Sequence, residues 1–394
     1  MPSSMPEAVI VSAVRTAIGT ARKGTLADTT AEEMSQTVLA ANVERSGLDP
    51  KLVDDVVFAE SLYGGAAVGR YAIIEAGLSH VPGVAVNRHC AGSLTAVGMA
   101  AGSIRSGMDR AVVAGGVQSS SLSPSFSRRV PGTVDEVGPW FPPIHADAPG
   151  APSRDMSITV GWNTAQEAGL SRGDMDAWAL RSHQRAVAAI DAGLFVDEIV
   201  PVKALQKDGS YVDFAVDEHP RRDTSLEKLG ALKVIHPEIE GFSITAGNAS
   251  GVNDAAAALT LTSDELARGE GLTPLGTVVA WAATGTDPKR TGMAPLEGIP
   301  KVLARAGLSV SDIALWEINE AFASVPVAAC KLLGIDEEKV NIHGSGCSLG
   351  HPISASGARM LITLVNDLRR AGGGYGVAAM CAGGGMSGAV VIKV

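Results

Sequence analysis

Residues 46–62 read SGLDPKLVDDVVFAESL, and residues 306–322 read AGLSVSDIALWEINEAF. Each stretch runs through a helix end, a Gly-Leu pair, a short acidic turn, an apolar strand and a polar tip, the mark of a chain that repeats one structural unit. The repeat extends outward. Cys90 lies 43 residues after Gly47 and His351 lies 44 residues after Gly307, so the two side chains occupy matching places. After Cys90, Leu94, Val97, Ala101, Ile104 and Met108 predict one apolar helix stripe, with Arg105 in the last turn and Gly107 ending it. After His351, Gly357, Leu361, Leu364 and Leu368 repeat the spacing, Arg369 and Arg370 close the helix, and Gly372 follows. Both helices lead into apolar runs that end in glycine, AVVAGG (111–116) and VAAMCAGGG (377–385). Such runs alternating with helices predict parallel sheets covered on both faces.

The totals agree with a large packed protein. Of 394 residues, 46% are hydrophobic and 19% charged, so a sizeable core is available and disorder is not expected. Aromatic residues are only 4% and glycines number 46, so the interior is expected to be Ala, Val, Leu and Ile packed closely. A net charge of −10 argues against a nucleic-acid or anionic-membrane partner. The stretch MPSSMPEAVIVSAVRTAIG has no basic segment before an apolar one, no run is apolar over membrane length, and VVIKV is not a peroxisomal address. A cytoplasmic protein is expected. Cys90, Cys330, Cys347 and Cys381 form no Cys-x-x-Cys pair, so neither a metal nor a disulfide is expected. Residues 119–249 begin Ser-rich, turn Pro-rich and then form a charged helical stretch. They predict an inserted lobe, and TAGNASGVNDAAAALTL (245–261) returns the chain to the core.

Chemistry gathers where the helices start. A helix N-terminus favours a thiolate and disfavours an imidazolium, so Cys90 is expected to be acidic and His351 neutral. Pseudo-symmetry that joined the two helix starts would make them a nucleophile and its base. Cys381 leaves a buried strand beside Gly383, Gly384 and Gly385, whose uncovered N–H groups suit an oxyanion. Asn319, in EINEAF, is a polar amide at a strand tip.

Several blocks now resemble the thiolase family: NRHCAGS (87–93), NEAF (319–322), GHP (350–352) and CAGGG (381–385). The likeness extends through DMSITVGWNTAQEAGLSRGDMDAWALRSHQRA, DEIVPV, DEHPRRDTSLEKLGALK and TAGNASGVNDAAAA, and leaves out about 119–150. The resemblance implies an α/β thiolase fold of two pseudo-symmetric βαβαβαββ halves in five layers (α/β/α/β/α) with an inserted loop domain. The halves would be 1–118 plus 250–272 and 273–394, and the loop domain 119–249. It implies an acyltransferase of lipid metabolism that cleaves 3-oxoacyl-CoA with CoA, or runs the reverse Claisen condensation, through a cysteine acyl-enzyme. Cys90 would be the nucleophile, His351 its base and Cys381 the second acid/base. Asn319 would hold a water that shares an oxyanion hole with His351, and the N–H groups of Cys90 and Gly383 would form the other. Met156, Arg221 and Ser250 would meet coenzyme A. No permanent cofactor is implied, only CoA and acyl-CoA as substrates, and the chain would assemble as a homodimer or homotetramer.

The match has departures. Gly92 and Ser93 stand in exchanged order after the nucleophile, with Ser93 able to cap the helix. HGSGCSLGHP brings His343 and Cys347, readable as packing or as a proton relay and a redox-sensitive thiol. Ser354 stands where Gly is common, and Asp155 where short-chain biosynthetic members carry a histidine. The Trp140-Phe141-Pro142-Pro143 segment would close the acyl pocket, line it, or pack between subunits. Two other readings stay open. One is a non-catalytic acyl-CoA binder. The other is a ketoacyl synthase acting on a carrier protein, against which Cys381 stands, because that related family uses a histidine there.

Overall fold

The structure, a computed structural model, describes residues 5–63 and 65–394. The first four residues of the amino-terminal stretch read above lie outside them. β1 (Ala8–Arg15), α1 (Ala31–Ser46), β2 (Asp55–Ala59), α2 (Val68–Glu75), β3 (Gly83–Val86), α3 (Gly92–Ser106) and β4 (Ala111–Ser119) follow one another. The chain then leaves the sheet for a long excursion that carries α4 (Arg172–Asp191), and returns as β5 (Asn253–Ser263). The second unit is β6 (Gly276–Gly285), α5 (Pro295–Ala306), β7 (Ile313–Ile318), α6 (Ser324–Leu333), α7 (Ile353–Arg370), β8 (Tyr375–Ala382) and β9 (Met386–Lys393).

The strands form one ten-stranded sheet along the path β7-β8-β9-β6-β1-β5-β4-β2-β3, with Gly19–Thr20 pairing to β5 off that path. Read outward from the centre, β1-β5-β4-β2 and β6-β9-β8-β7 have the same order and the same strand senses. The repeat seen in the sequence is therefore a pseudo-twofold repeat in space. The third strand of the second unit is reduced to a single parallel bridge between Trp316 and Val340. The expected parallel pairing holds for β2 with β3 and β4, and for β7 with β8. The inner strands β1, β5, β6 and β9 run antiparallel. The physical reason is the connection: β8 turns into β9 through three glycines, and a tight hairpin can only reverse the chain.

α3 and α7 pack on each other and on strands of both units. Leu94, Val97 and Ile104 meet Leu361, Leu364 and Leu368 in this middle layer. α1 and α2 cover the outer face of the first unit through Met34, Val38 and Ile73. α5 and α6 cover that of the second through Ile299, Val302 and Val325. The middle helices cross closely because glycine stands at the contact. A Cβ on Gly357 would lie 2.6 Å from Leu94 Cγ and 2.8 Å from its backbone N, and one on Gly98 would lie 2.4 Å from the Trp281 ring. Two expectations are corrected here. Ser93 does not cap α3; its Oγ accepts the Ala358 N–H of α7 at 2.9 Å, tying the two helices together. Met108 is not on the buried stripe: the helix ends at Ser106, Gly107 turns left-handed, and Met108 is 83% exposed.

The excursion is fastened to the sheet by buried charge. Arg15 on β1 donates from Nε to Glu198 at 2.7 Å and from Nη1 and Nη2 to Asp217 at 2.8 and 2.9 Å. Asp217 also accepts the Ile18 N–H, and Glu198 accepts Thr363 and Asn366 of α7. A buried ion cluster of this kind stabilises little in net terms, but removing one partner strands the others. Arg15→Met is therefore expected to lower stability by about 3–5 kcal/mol, read as a lower urea midpoint at unchanged slope.

Candidate active site

Cys90 sits in the short turn His89–Ala91 that leads into α3, and His351 stands two residues before α7. Because α3 and α7 cross in the middle layer, both helix starts open on the same end of the sheet. Cys90 shares a cavity wall with Gly383, whose backbone N–H, in the β8–β9 turn two residues beyond Cys381, stabilises the charged form of its sulphur. Cys381 is buried and close enough to Cys90 for that thiol to add to the rise of its own pKa. Asn319, at the tip of β7, places Nδ2 at 3.5 Å from both ring nitrogens of His351, and its own N–H is anchored on Ala379 O of β8. Cys90, His351, Cys381, Asn319 and Gly383 are thus drawn from separate stretches to one place.

The small residues around His351 serve the protein itself. Gly350 has φ +103°, and a Cβ there would lie 2.5 Å from the Asn253 carboxamide. Asn253 uses that space to accept the His351 N–H at 3.0 Å. A Cβ on Gly346 would lie 2.6 Å from Glu320 O and 3.1 Å from Asn319 Oδ1. Ser356 Oγ, on the first turn of α7, is 2.6 Å from His351 Nδ1. It occupies that nitrogen and leaves Nε2, at 3.5 Å from Asn319 Nδ2, as the basic position. Asn253 and Ser356 were not singled out in the sequence. Ser356 could have been, since five residues after the histidine is within reach once a helix starts between them. Asn253 depends on a contact across 98 residues.

Electrostatics corrects one expectation and supports another. The Cys90 thiol is not acidic: burial pushes it up to about 11, and the opposing N–H groups of Cys90 and Gly383 do not overcome this. Burial, followed by the charge of Arg359, holds His351 down to about 4, so the imidazole is neutral at pH 7. Cys381 is raised by burial and then by Cys90. Thiol and imidazole are thus both neutral at rest.

Two spaces adjoin the cluster. A cavity of about 470 Å³ has Cys90, Gly383 and Met156 in its wall. A groove of about 790 Å³ is lined by Arg221 and Ser250, with Lys23, Lys228, His219 and Val252. His351 stands between them, because its backbone bridges Val252 in the groove and Ile353 lines the cavity. The groove's lip is fastened to the strand tip that carries Asn319. Ser250 N–H donates to Ala321 O at 3.0 Å and Ala323 N–H to Asn248 O at 2.9 Å. Met156, Arg221 and Ser250, expected to share one ligand, divide between cavity and groove.

The departures have structural accounts. A Cβ on Gly92 would meet Ala59 at 2.8 Å, so the glycine faces β2 while Ser93 faces α7. Ser354 Oγ accepts the Ser61 N–H and donates to Ser61 Oγ at 2.7 Å, tying α7 to the end of β2. Asp155 bonds Ser157 and pairs with His236 Nε2 at 2.8 Å. His343 pairs with Asp367 at 2.8 Å. Asp367 is fourteen residues into α7, about 20 Å along it from the active end, so His343 packs and does not relay. Cys347 is buried with its N–H on Glu320. Glu320 also accepts Trp178, Ser182 and Asn341, joining α4 to the tip of β7. Among the described residues no group of three or more His, Cys, Asp or Glu side chains gathers as a metal site, and no helix is long and apolar enough to cross a membrane.

Comparison with known proteins agrees with this geometry. Residues 8–265 match the family model for the thiolase N-terminal domain, and residues 272–394 that for the thiolase C-terminal domain. An acetyl-CoA acetyltransferase of Escherichia coli is 40% identical over 396 residues, covering 99% of both chains. A beta-ketoadipyl-CoA thiolase of Acinetobacter baylyi is 37% identical, covering 99% of this chain and 100% of its own. The crystal structure of the Bacillus anthracis acetyl-CoA acetyltransferase superposes with a TM-score of 0.88 at 36% identity, covering 99% of each. The chain belongs to the thiolase family. It is an acyltransferase, acting on 3-oxoacyl-CoA and CoA in thiolysis or on two acyl-CoAs in the reverse condensation.

Acid should loosen this structure in a defined window. His351, His183 and His219 are each held down to about 4 from an ordinary 6.5, in every case chiefly by burial. Below pH 6.5 the unfolded chain takes up protons on these rings that the folded chain refuses, so their contribution to stability falls as pH drops towards 4 and is constant below it. The double variant His183→Gln/His219→Gln is expected to lose less midpoint temperature than the wild type between pH 7 and pH 4.5, measured by calorimetry.

Proposed function

We propose that Cys90, His351, Cys381, Asn319 and Gly383 carry out thiolysis and its reverse in the following roles. In thiolysis His351 Nε2 takes the Cys90 proton as the sulphur bonds to the 3-oxo carbon of the substrate. The oxyanion that forms lies against the N–H groups of Cys90 and Gly383. As that oxyanion collapses, the bond between carbons 2 and 3 breaks. The electron pair leaves as the enolate of acetyl-CoA, and the Cys381 thiol gives its proton to carbon 2. The enolate oxygen is held by His351, now protonated at Nε2, and by a water on Asn319. Among the described residues the buried Asn319 Oδ1 has no protein partner, which supports the water. Free CoA then gives its proton to Cys381, attacks the Cys90 thioester and leaves as the shortened acyl-CoA, and His351 returns its proton to Cys90. The covalent intermediate makes the kinetics ping-pong.

The observation that carries this reading is that Cys90 and Gly383 share a cavity wall with Ile353, two residues from the His351 that Asn319 faces. A cysteine raised to about 11 is inert unless a base removes its proton as it attacks. Arg221 and Ser250 bind coenzyme A in the groove, where Lys23 adds positive charge for its phosphates, while Lys228 is paired with Asp223 in the same lining. Met156 lies on the acyl side. The chain works in the cytoplasm, a reading supported by four cysteines that are all free. It assembles as a homodimer or homotetramer, supported by β3, which ends the sheet with Val84 exposed beside Tyr71 and Ile74 of α2.

Incubation with a 3-oxoacyl-CoA and no free CoA is expected to add one acyl group to Cys90, seen by mass spectrometry, and Cys90→Ala to abolish both adduct and turnover. Asn319→Ala should lower kcat about 100- to 1,000-fold with a smaller change in KM. A Cys90→Ala protein that turned over at the wild-type rate would refute the scheme. Stoichiometric acyl-CoA binding with no adduct would favour the binder reading instead.

A further inference from the structure

The cavity beside Cys90 is built largely by the stretch that resembles the family least. Phe126, Phe141, Pro142 and Ile144 make one wall, and Leu62 and Met156 are among the apolar side chains that complete it. The wall is held in place. Trp140 N–H donates to Phe126 O at 2.9 Å, across the hairpin of Ser127–Arg129 with Val137–Pro139. Two consecutive prolines fix the backbone after Phe141, and the Arg154 guanidinium lies 4.9 Å from the centre of the Phe141 ring. Ile144 seats this wall on the reaction centre: a Cβ on Gly383 or Gly384 would lie 3.3 or 3.1 Å from the Ile144 side chain.

The polar groups of the cavity are occupied or marginal. The Glu60 carboxylate accepts the N–H groups of Ala67 and Val68 at the start of α2. Arg154 is exposed. Burial lowers the pKa of His89, so its ring enters as a neutral imidazole. Ser61 and Asn87 are spent on hydrogen bonds to His89, to each other and to Ser354. The rest of the lining is mainly apolar, and the volume of about 470 Å³ falls in the range of ~300–1,000 Å³ typical of pockets that enclose a drug-sized ligand. A two-carbon acyl group would leave most of it unfilled. The cationic groove is a separate space on the other side of His351, so the cavity is free to take the acyl chain. Relatives of similar identity are named for acetyl-CoA and for beta-ketoadipyl-CoA, so kinship does not select the chain.

We infer, on the basis of the function proposed above, that this cavity receives the acyl chain beyond the 3-oxo carbon, that Phe126, Phe141 and Ile144 determine its identity, and that the substrates are medium-length, apolar 3-oxoacyl-CoAs. Each methylene laid along the wall adds buried apolar surface at about 0.8 kcal/mol, or about fourfold in affinity. Because the tail lies against the same wall before and during reaction, the gain is expected in KM more than in kcat.

The test is thiolysis by the wild-type chain of acetoacetyl-, 3-oxohexanoyl-, 3-oxooctanoyl- and 3-oxodecanoyl-CoA, with the Cys90 adduct followed by mass spectrometry. The expected result is kcat/KM rising about fourfold per methylene, to a maximum at the eight- or ten-carbon substrate. In Ile144→Trp, which fills the cavity from its wall, the ratio of kcat/KM for 3-oxodecanoyl- to acetoacetyl-CoA should fall at least tenfold. In Ile144→Ala that ratio should not fall, and this smaller variant guards against misfolding of the larger. A maximum at acetoacetyl-CoA, with the Cys90 adduct formed, would overturn this inference and leave the proposed function standing. A medium-chain maximum whose ratio is unmoved in a folded Ile144→Trp would overturn the assignment of the wall. No adduct and no turnover with any of the four would overturn both readings.

Discussion

The contact on which the rest of the molecule depends is the crossing of α3 and α7. Two helices can approach this closely only where side chains are missing, and Gly357 against Leu94 supplies the gap. The Ser93 hydroxyl then spends itself on the Ala358 N–H of the opposite helix. With the helices fixed, their starts are fixed too, and the starts carry Cys90 and His351. A nucleophile and a base from residues far apart in sequence are positioned by regular structure, where small displacements are resisted by packing and not left to a loop.

Burial gives the site its character. Few aromatic residues and many glycines and alanines let sheet and helix close tightly, and that exclusion of water moves His351, Cys90 and Cys381. It keeps His351 unprotonated, and it keeps Cys90 protonated despite the helix start behind it. The helix dipole is a surface-strength effect of about 0.3–1 kcal/mol in most settings, and desolvation of a buried thiolate outweighs it. Proton transfer is thereby coupled to attack, and a resting enzyme is not left with a reactive thiolate exposed to oxidants.

Much of this was legible in the chain. The two Gly-Leu repeats predicted a doubled unit, and spacings that differ by one residue predicted that Cys90 and His351 occupy equivalent places. Local chemistry was read well where it depends on neighbours, as with the helix ending at Gly107. It was read poorly where it depends on distance along the chain. Ser93 looks like a cap because its own helix is the only partner visible locally, yet its partner is 265 residues away. The glycines around His351 suggest room for a ligand, yet Asn253 and Glu320 fill it. The antiparallel inner strands were hidden for a similar reason, since a fully buried strand shows the same apolar run whichever way its neighbour points. The segment 119–150 carried no pattern at all, because a wall of Phe, Pro and Ile against solvent has no period to read.

The shared middle layer also governs how the chain comes into being. When β5 has been synthesised, the first unit has its strands, but one side of α3 still lacks α7 and the strands of β6 and β9. That apolar face remains open until about residue 370 leaves the ribosome, more than a hundred residues later. At synthesis rates of ~5–20 residues per second this is an interval of seconds, long enough for a bare helix face to find the wrong partner. The half-molecule that looks complete in the strand order is thus a nascent intermediate in need of shelter, and the repeat that makes the fold economical to encode makes it dependent on its last quarter to finish.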